Sequence, residues 1–148
     1  MGEAGSYVYE SEIEWSREKE GTSRGPQLPP IPVGAPPEFK GRAGNWTPEH
    51  LFVASVNTCL MLTLLAIAEN SKINLVSYSA TASGKLEKVQ GAEYQVTEIL
   101  VKPKVVVGSE EDLRRMPRIL EKAKEGCFIS NSIKSVVKFE PEVSHQKT

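Results

Sequence analysis

The two residues best suited to chemistry are the only cysteines of the chain, Cys59 and Cys127. Cys59 lies inside the longest apolar run, Thr47 to Asn70, and Cys127 directly follows Gly126 in GCFISNSI. A thiol attacks as its thiolate, which apolar surroundings disfavour and which a cation or unpaired backbone amides favour. By count alone a free cysteine is more often a small buried hydrophobe. The positions of these two favour nucleophilic or redox chemistry.

Composition and charge are those of an ordinary globular chain, and a length of 148 residues predicts one domain over 1–148. The 18 basic and 19 acidic residues give a net charge of -1, which argues against nucleic acid or an anionic membrane as a partner. No positively charged segment followed by a short apolar stretch opens the chain, so we expect a cytoplasmic protein without a signal peptide. Because the cytosol keeps thiols reduced, a structural disulfide is not expected.

The apolar run from Thr47 to Asn70 has the features of a helix. Thr47 offers an N-cap oxygen, Pro48 stands where its missing N–H costs nothing, and Glu49 suits the positive end of the helix dipole. No charged residue occurs from Leu51 to Ala68, and apolar residues lie on every side. We therefore expect a central helix surrounded by other parts of the protein.

A membrane span is the alternative reading of the same run, since its length meets the requirement. Ser55, Asn57, Thr58 and Thr63 interrupt its hydrophobicity, and neither flank has a basic cluster that would anchor a span. A buried helix of a soluble protein is the better interpretation, and no membrane partner is expected.

Before this helix the pattern predicts a strand and an irregular segment. Residues alternate from Ser6 to Trp15, which predicts an antiparallel strand with one buried face. Pro26 to Gly44 holds six of the ten prolines, with Ile31 and Val33 as a possible short edge strand.

After the helix, alternation from Val76 to Leu86 predicts a strand, and a turn at Gln90 and Gly91 leads into a returning strand from Tyr94 to Val107. Ser109 with Asp112 predicts a capped helix that ends at Gly126, and Ser135 to Val143 alternates as a closing strand. The order predicts an α+β fold in which antiparallel sheets pack around a long central helix.

Four features together resemble the OsmC/Ohr family, the osmotically inducible protein C and organic hydroperoxide resistance proteins. They are the helix opening TPEHLF, a cysteine ten positions beyond Glu49, the proline-rich segment before the helix, and CFISNS after a later helix. The resemblance runs over nearly the whole chain in the right order. It implies an intertwined OsmC-like homodimer and a thiol-dependent peroxidase that reduces organic hydroperoxides.

By matching position, the resemblance makes Cys59 the peroxidatic cysteine and Cys127 the resolving cysteine. The thiolate of Cys59 would attack the hydroperoxide and become a sulfenic acid, which Cys127 would convert to a disulfide. An external dithiol, of the lipoyl type in this family, would restore both thiols. No bound cofactor is expected.

The resemblance also implies an activating pair, with Glu49 as the family's glutamate and Arg17 in WSREKEG as its arginine. Arg24 and Arg42 are competitors for the arginine role. A guanidinium beside Cys59 would stabilise its thiolate and bind the peroxide, while a carboxylate would hold the guanidinium in place.

Helix geometry limits how Glu49 can act. Ten residues at about 1.5 Å each separate it from Cys59 by about 15 Å along a straight helix, beyond the reach of these side chains. Two antiparallel copies of the helix that cross near Ala54 and Ser55 would bring Glu49 of one chain to Cys59 of the other. We therefore expect a two-fold dimer with two interfacial sites.

Two other readings remain. His50, Cys59, Cys127 and His145 could be considered metal ligands, but their spacing matches no compact zinc pattern, and His145 is expected in a frayed tail. The second reading is a redox-inert dimer of the same fold that binds a small hydrophobic ligand.

Overall fold

The computed structural model of the protein describes residues 5–91 and 93–147. The chain divides into two compact units, Met1–Leu51 and Phe52–Thr148. Helix α1, Pro48–Asn70, begins in the first unit and continues in the second. Strands precede it, and strands, a second helix and further strands follow, which confirms the predicted α+β class.

The first unit contains an antiparallel sheet of three strands, β1 (Glu12–Arg17), β2 (Glu20–Gly25) and β3 (Leu28–Gly34), in the order β1-β2-β3. The three prolines of β3 have no N–H to donate, and an edge strand tolerates them because one side of its backbone needs no partner. The edge strand predicted around Ile31 and Val33 is confirmed. A 3-10 turn, Pro37–Phe39, follows.

The strand predicted from Ser6 to Trp15 is misplaced, since β1 begins only at Glu12 and runs to Arg17. Glu12 pairs with Arg24, next to the end of β2, so the preceding residues have no strand beside them. The predicted buried face of this strand is also wrong for the single chain, because Ile13 is 70% and Trp15 76% exposed. Alternation reports which residues share a face, but not what covers that face.

Helix α1 opens as the sequence predicts. The backbone N–H of His50 donates to Thr47 Oγ1 over 3.1 Å, so Thr47 is the N-cap. Thr47 Oγ1 also lies 2.7 Å from His50 Nδ1, which ties that imidazole to the cap.

One side of α1 is buried and the other is open. Its buried residues are Val56, Leu60, Leu64 and Ala68. Leu62 is 55% and Leu65 37% exposed, so the expectation that the single chain surrounds this helix is wrong. By length and composition α1 could cross a membrane, but its buried stripe packs into two cores, as in the core helix of a folded domain.

The second unit contains a mixed sheet. β4 (Leu75–Lys88) pairs antiparallel with β5 (Tyr94–Val107), and β6 (Val136–Phe139) and β7 (Glu142–His145) both run parallel to β5. Helix α2, Glu110–Gly126, connects β5 to a 3-10 turn at Ser130–Ser132. Ser109 Oγ accepts from the Asp112 backbone N–H over 3.1 Å, which confirms the predicted cap.

The closing strand predicted from Ser135 to Val143 is two strands, because the chain breaks at Glu140 and Pro141 between β6 and β7. Pro103, predicted to mark an edge or bulge, lies in the central strand β5, in the gap between the segments that pair with β6 and β7. A residue without an N–H is tolerated there because neither strand needs its hydrogen bond. His145 belongs to β7 and pairs with Val107, so the prediction of a frayed tail is wrong.

Two apolar clusters fill the second unit. In one, Leu64 and Ala68 of α1 pack with α2 residues such as Met116 and Ile119 against β5. In the other, Val56 and Leu60 of α1 pack with Ile99, Val101 and Cys127. The second cluster positions the cysteines.

Candidate functional site

The fold brings the two cysteines of the sequence together. Cys127 directly follows α2 as its C-cap and is fully buried within the second apolar cluster. Cys59, in the middle of α1, packs against that cluster. Both are free thiols, and Cys59 keeps part of its surface exposed. A reagent can therefore reach Cys59 more readily than Cys127.

The surroundings of Cys59 favour its thiolate. Burial raises the pKa of this thiol, but the backbone amide of Ile129 and the side chain of Cys127 lower it, followed by Thr63 and the amide of Phe128. The balance leaves the Cys59 pKa below its ordinary value. Backbone N–H groups can only donate, so the chain that follows Cys127 stabilises negative charge on the Cys59 sulfur.

Thr63 contributes less to this stabilisation than its position suggests. Its Oγ1 lies 3.9 Å from Cys59 Sγ, but the hydroxyl donates to the Cys59 backbone carbonyl over 2.7 Å. A hydroxyl has one proton to give, so Thr63 mainly closes the local helix turn.

Cys127 is held as the thiol. Burial raises its pKa, and although the Ser130 side chain and amide lower it, the hydrogen bond and the charge of Cys59 raise it again. Its net shift is upward, opposite to that of Cys59. The pair thus has one sulfur suited to attack as the thiolate and one suited to donate a proton.

The candidate arginines all lie in the first unit and bind carboxylates there. Arg42 Nη2 donates to Glu20 Oε1 over 2.9 Å, and Arg17 Nε donates to the same oxygen over 3.4 Å. Arg24 pairs with Glu14 over 3.6 Å. Hydrogen bonds from Arg42 hold the pKa of Glu20 below its usual range despite partial burial, and Arg17 adds to the effect.

Glu20 holds two of the candidate arginines in the first unit, and the sequence does not indicate it. It accepts from two of the three candidate arginines and from Asn45 Nδ2 at 3.2 Å, so it organises the charged cluster of the first unit. Its position in WSREKEG, among other charged residues, gives no signal that distinguishes it. The role of Arg17 toward Cys59 stays a prediction.

Glu49 lies in the first turn of α1, and its Oε1 is buried without a hydrogen-bond partner among the residues that the structure describes. It borders a cavity of about 720 Å³ within the first unit, together with Lys19 and Glu20. The apolar part of the lining includes Ile13, Trp15, Val33, Phe39 and Leu51. A buried carboxylate oxygen is costly unless it accepts a hydrogen bond. Glu49 Oε1 therefore requires a donor that reaches this end of the cavity.

No group of three or more His, Cys, Asp and Glu side chains suited to a metal ion occurs in residues 5–91 and 93–147. The contact between His50 Nδ1 and Thr47 Oγ1 holds that imidazole at the helix cap.

These observations define a class of protein: an α+β fold in which a long helix and the end of a second helix hold two thiols of opposite pKa shift in one cluster. The model of the OsmC family, described as OsmC-like protein, matches residues 41–142. The chain belongs to the OsmC/Ohr family, as its sequence resemblance predicts.

Individual relatives agree with this assignment. Over 106 residues, 72% of each chain, the protein is 30% identical to the peroxiredoxin OsmC of Escherichia coli. An OsmC-like protein of unknown function from Vibrio cholerae superimposes with a TM-score of 0.86 at 26% identity, covering 93% of this chain and 100% of the other. An organic hydroperoxide resistance protein from Elizabethkingia anophelis shares the fold, with a TM-score of 0.76 at 18% identity over 97% and 99% of the two chains.

Proposed function

We propose that the protein is a thiol-dependent peroxidase that reduces organic hydroperoxides, with Cys59 as the peroxidatic and Cys127 as the resolving cysteine. The observation that carries the proposal is the shared cluster of the two sulfurs, in which the Cys59 pKa is lowered and the Cys127 pKa is raised. The names of two relatives, a peroxiredoxin and an organic hydroperoxide resistance protein, support the same reaction class.

In the first step the Cys59 thiolate attacks the outer oxygen of the hydroperoxide. The S–O bond forms as the O–O bond breaks, and the leaving alkoxide takes up a proton to become the alcohol. Cys59 is oxidised to the sulfenic acid and the peroxide is reduced. The amides of Phe128 and Ile129 hold the thiolate ready for this attack.

In the second step Cys127 attacks the sulfenic sulfur of Cys59, and a disulfide and water are formed. A dithiol from outside, of the lipoyl type, then reduces the disulfide by two successive exchanges and becomes a disulfide itself. The protein needs no bound cofactor for this cycle, and we propose that it works as a soluble cytoplasmic protein.

The second part of the proposal is a homodimer that completes the site. The outer face of α1 exposes Leu62 and Leu65, and β1 exposes Ile13 and Trp15, all of which a second copy would cover. In such a dimer Glu49 and an arginine of one chain would act at Cys59 of the other. The unpartnered Oε1 of Glu49 supports this role, because it still requires a donor.

The direct test is turnover of an alkyl hydroperoxide with a dithiol reductant. The wild-type protein should consume the peroxide, and Cys59→Ser should lower the rate to that of the reductant alone. Thr58→Ser is a matched control, because it changes an exposed neighbour on the same helix and should keep the wild-type rate. Unchanged turnover in Cys59→Ser would exclude the mechanism.

A redox-inert binding protein is the second candidate, and the cavity of about 720 Å³ in the first unit is the observation that favours it. Its mainly apolar lining suits a small hydrophobic ligand. A thiol titration separates the two candidates. An inert Cys59 with an unshifted pKa, combined with saturable binding of a fluorescent fatty acid, would favour the binder.

A further inference from the structure

Ser130 contacts the sulfur of Cys127 and has no role in the two-cysteine scheme described above. It opens the 3-10 turn that follows Cys127, and its hydroxyl donates to Cys127 Sγ over 3.1 Å. Its backbone amide also interacts with that sulfur. Two donors from one residue therefore converge on the thiol that must become the second nucleophile.

The direction of these hydrogen bonds determines whether they favour the thiol or the thiolate of each cysteine. Ser130 donates to the Cys127 sulfur, and the side chain of Cys127 in turn lowers the pKa of Cys59, which packs against the cluster of Cys127. Cys127 therefore accepts from Ser130 and can donate its own proton to Cys59. A donor aimed at a sulfur favours the thiolate, so Ser130 opposes the effect of burial on Cys127.

We propose that Ser130 is a positioning residue for the resolving step, which holds the Cys127 sulfur toward Cys59 and stabilises the charge that forms on it. This inference rests on the proposed peroxidase function. In the step itself Cys127 loses its proton, its sulfur bonds to the sulfenic sulfur, and the S–O bond breaks. The released hydroxide takes up a proton and leaves as water, so one sulfenic acid and one thiol give one disulfide and one water.

The need for such a residue follows from the surroundings of Cys127. Its side chain is fully buried among apolar residues, and burial raises its pKa. A thiol in that setting deprotonates reluctantly, and a slow second step leaves the sulfenic acid of Cys59 open to further oxidation. Ser130 counters both problems without exposing Cys127 to water.

The test is a single-turnover experiment with one equivalent of tert-butyl hydroperoxide, in which sulfenic acid and disulfide are followed separately by rapid quenching and mass spectrometry. Ser130→Ala should leave the rate of Cys59 oxidation unchanged and slow disulfide formation about tenfold, the effect of losing one hydrogen bond to a charged group. With excess peroxide the same variant should accumulate the sulfinic acid of Cys59.

Two further variants separate positioning from loosening of the turn. Ser130→Thr keeps a hydroxyl and should restore most of the rate of disulfide formation. Ser132 lies in the same turn, but its hydroxyl donates to the Phe128 carbonyl over 2.7 Å and not to sulfur. Ser132→Ala should therefore form the disulfide at the wild-type rate. The proposal would be overturned if Ser132→Ala and Ser130→Ala slowed disulfide formation equally. It would also be overturned if Ser130→Ala formed the disulfide at the wild-type rate.

A pH titration tests the contact between Ser130 and the Cys127 sulfur without using a peroxide. In the Cys59→Ser background, thiolate absorbance reports Cys127 alone, and adding Ser130→Ala should move its titration to higher pH. An unmoved titration would contradict the role of Ser130. If tert-butyl hydroperoxide does not oxidise Cys59 of the wild-type protein in the single-turnover experiment, the peroxidase proposal is wrong. The titration still reports whether Ser130 acts on the Cys127 sulfur.

Discussion

At the scale of single residues, Cys59 and Cys127 differ in chemistry because they differ in their donors. Both are penalised by burial, but Cys59 receives the amides of Ile129 and Phe128 and the side chain of Cys127. Cys127 faces the charge of Cys59, which raises its own pKa. The asymmetry supports the proposed attacking role of Cys59, which is also the more exposed of the two thiols.

The first prediction concerns the pH dependence of Cys59. A lowered pKa means that the thiolate is the major form from a lower pH than in an ordinary cysteine, so the rate of alkylation by iodoacetamide should reach half its maximum at a lower pH than for an unperturbed thiol. Cys127→Ala removes one of the stabilising groups and should move this midpoint upward. A midpoint at or above that of a free cysteine would contradict the described site.

The sequence indicates the two cysteines but not their donors. Position in a helix and after a glycine singles out Cys59 and Cys127, whereas the amides that act on Cys59 are backbone groups that every sequence contains. The choice among the three candidate arginines is equally hidden in the sequence, since the contact of Arg42 with Glu20 forms only in the tertiary structure. Composition cannot rank such pairings.

At the scale of secondary-structure elements, the site depends on how closely α1 packs on β4. An added Cβ at Gly84 of β4 would lie 2.5 Å from Val53 Cγ2 on α1, too close for either to stay in place. Val53 is β-branched and has few alternative rotamers, so the helix or strand would have to move. Gly84 thus sets the approach of the helix that carries Cys59.

The second prediction follows from this contact. Gly84→Ala should destabilise the fold by about 1–3 kcal/mol through overpacking, measured by urea unfolding. Val53→Ala makes room, so the double variant should recover part of the loss, with a coupling of about 1 kcal/mol or more. Ser83→Ala, an exposed neighbour on β4, should change stability little. Additive effects in the double variant would exclude the contact as the cause.

The sequence predicts the elements well where local signals define their ends. The caps at Thr47 and Ser109 mark the starts of both helices correctly. Where an end depends on a partner the prediction fails, as it does for β1, whose start is set by its pairing with β2. The parallel pairing of β6 and β7 with β5 is likewise a tertiary choice that alternation does not encode.

At the scale of the whole molecule, apolar side chains remain open in each unit. Ile13 and Trp15 of the first unit and Leu62 of the second are more than half exposed. A stable monomer rarely exposes several large apolar residues on regular elements, and a second copy of the chain would cover them. Uniform hydrophobicity around α1 therefore predicts burial correctly only if a dimer forms.

The third prediction tests that dimer. The wild-type protein should have twice the mass of one chain in light scattering, and Leu62→Glu should shift it toward the monomer, because a buried unpaired charge is costly. Lys122→Glu, an exposed position on α2, is the control and should remain dimeric. If the monomeric variant also loses peroxidase activity, the site draws residues from both chains. Full activity in a stable monomer would contradict the interfacial site.

We propose that Cys59 attacks a peroxide and that Cys127 then converts the resulting sulfenic acid to a disulfide. The most direct measurement is mass spectrometry of the protein after one equivalent of alkyl hydroperoxide. We predict the loss of two thiols for each peroxide and a single linked peptide pair that joins Cys59 to Cys127 within one chain. Recovery of both cysteines as free thiols, or of Cys59 as a stable sulfenic acid with Cys127 unmodified, would contradict the account.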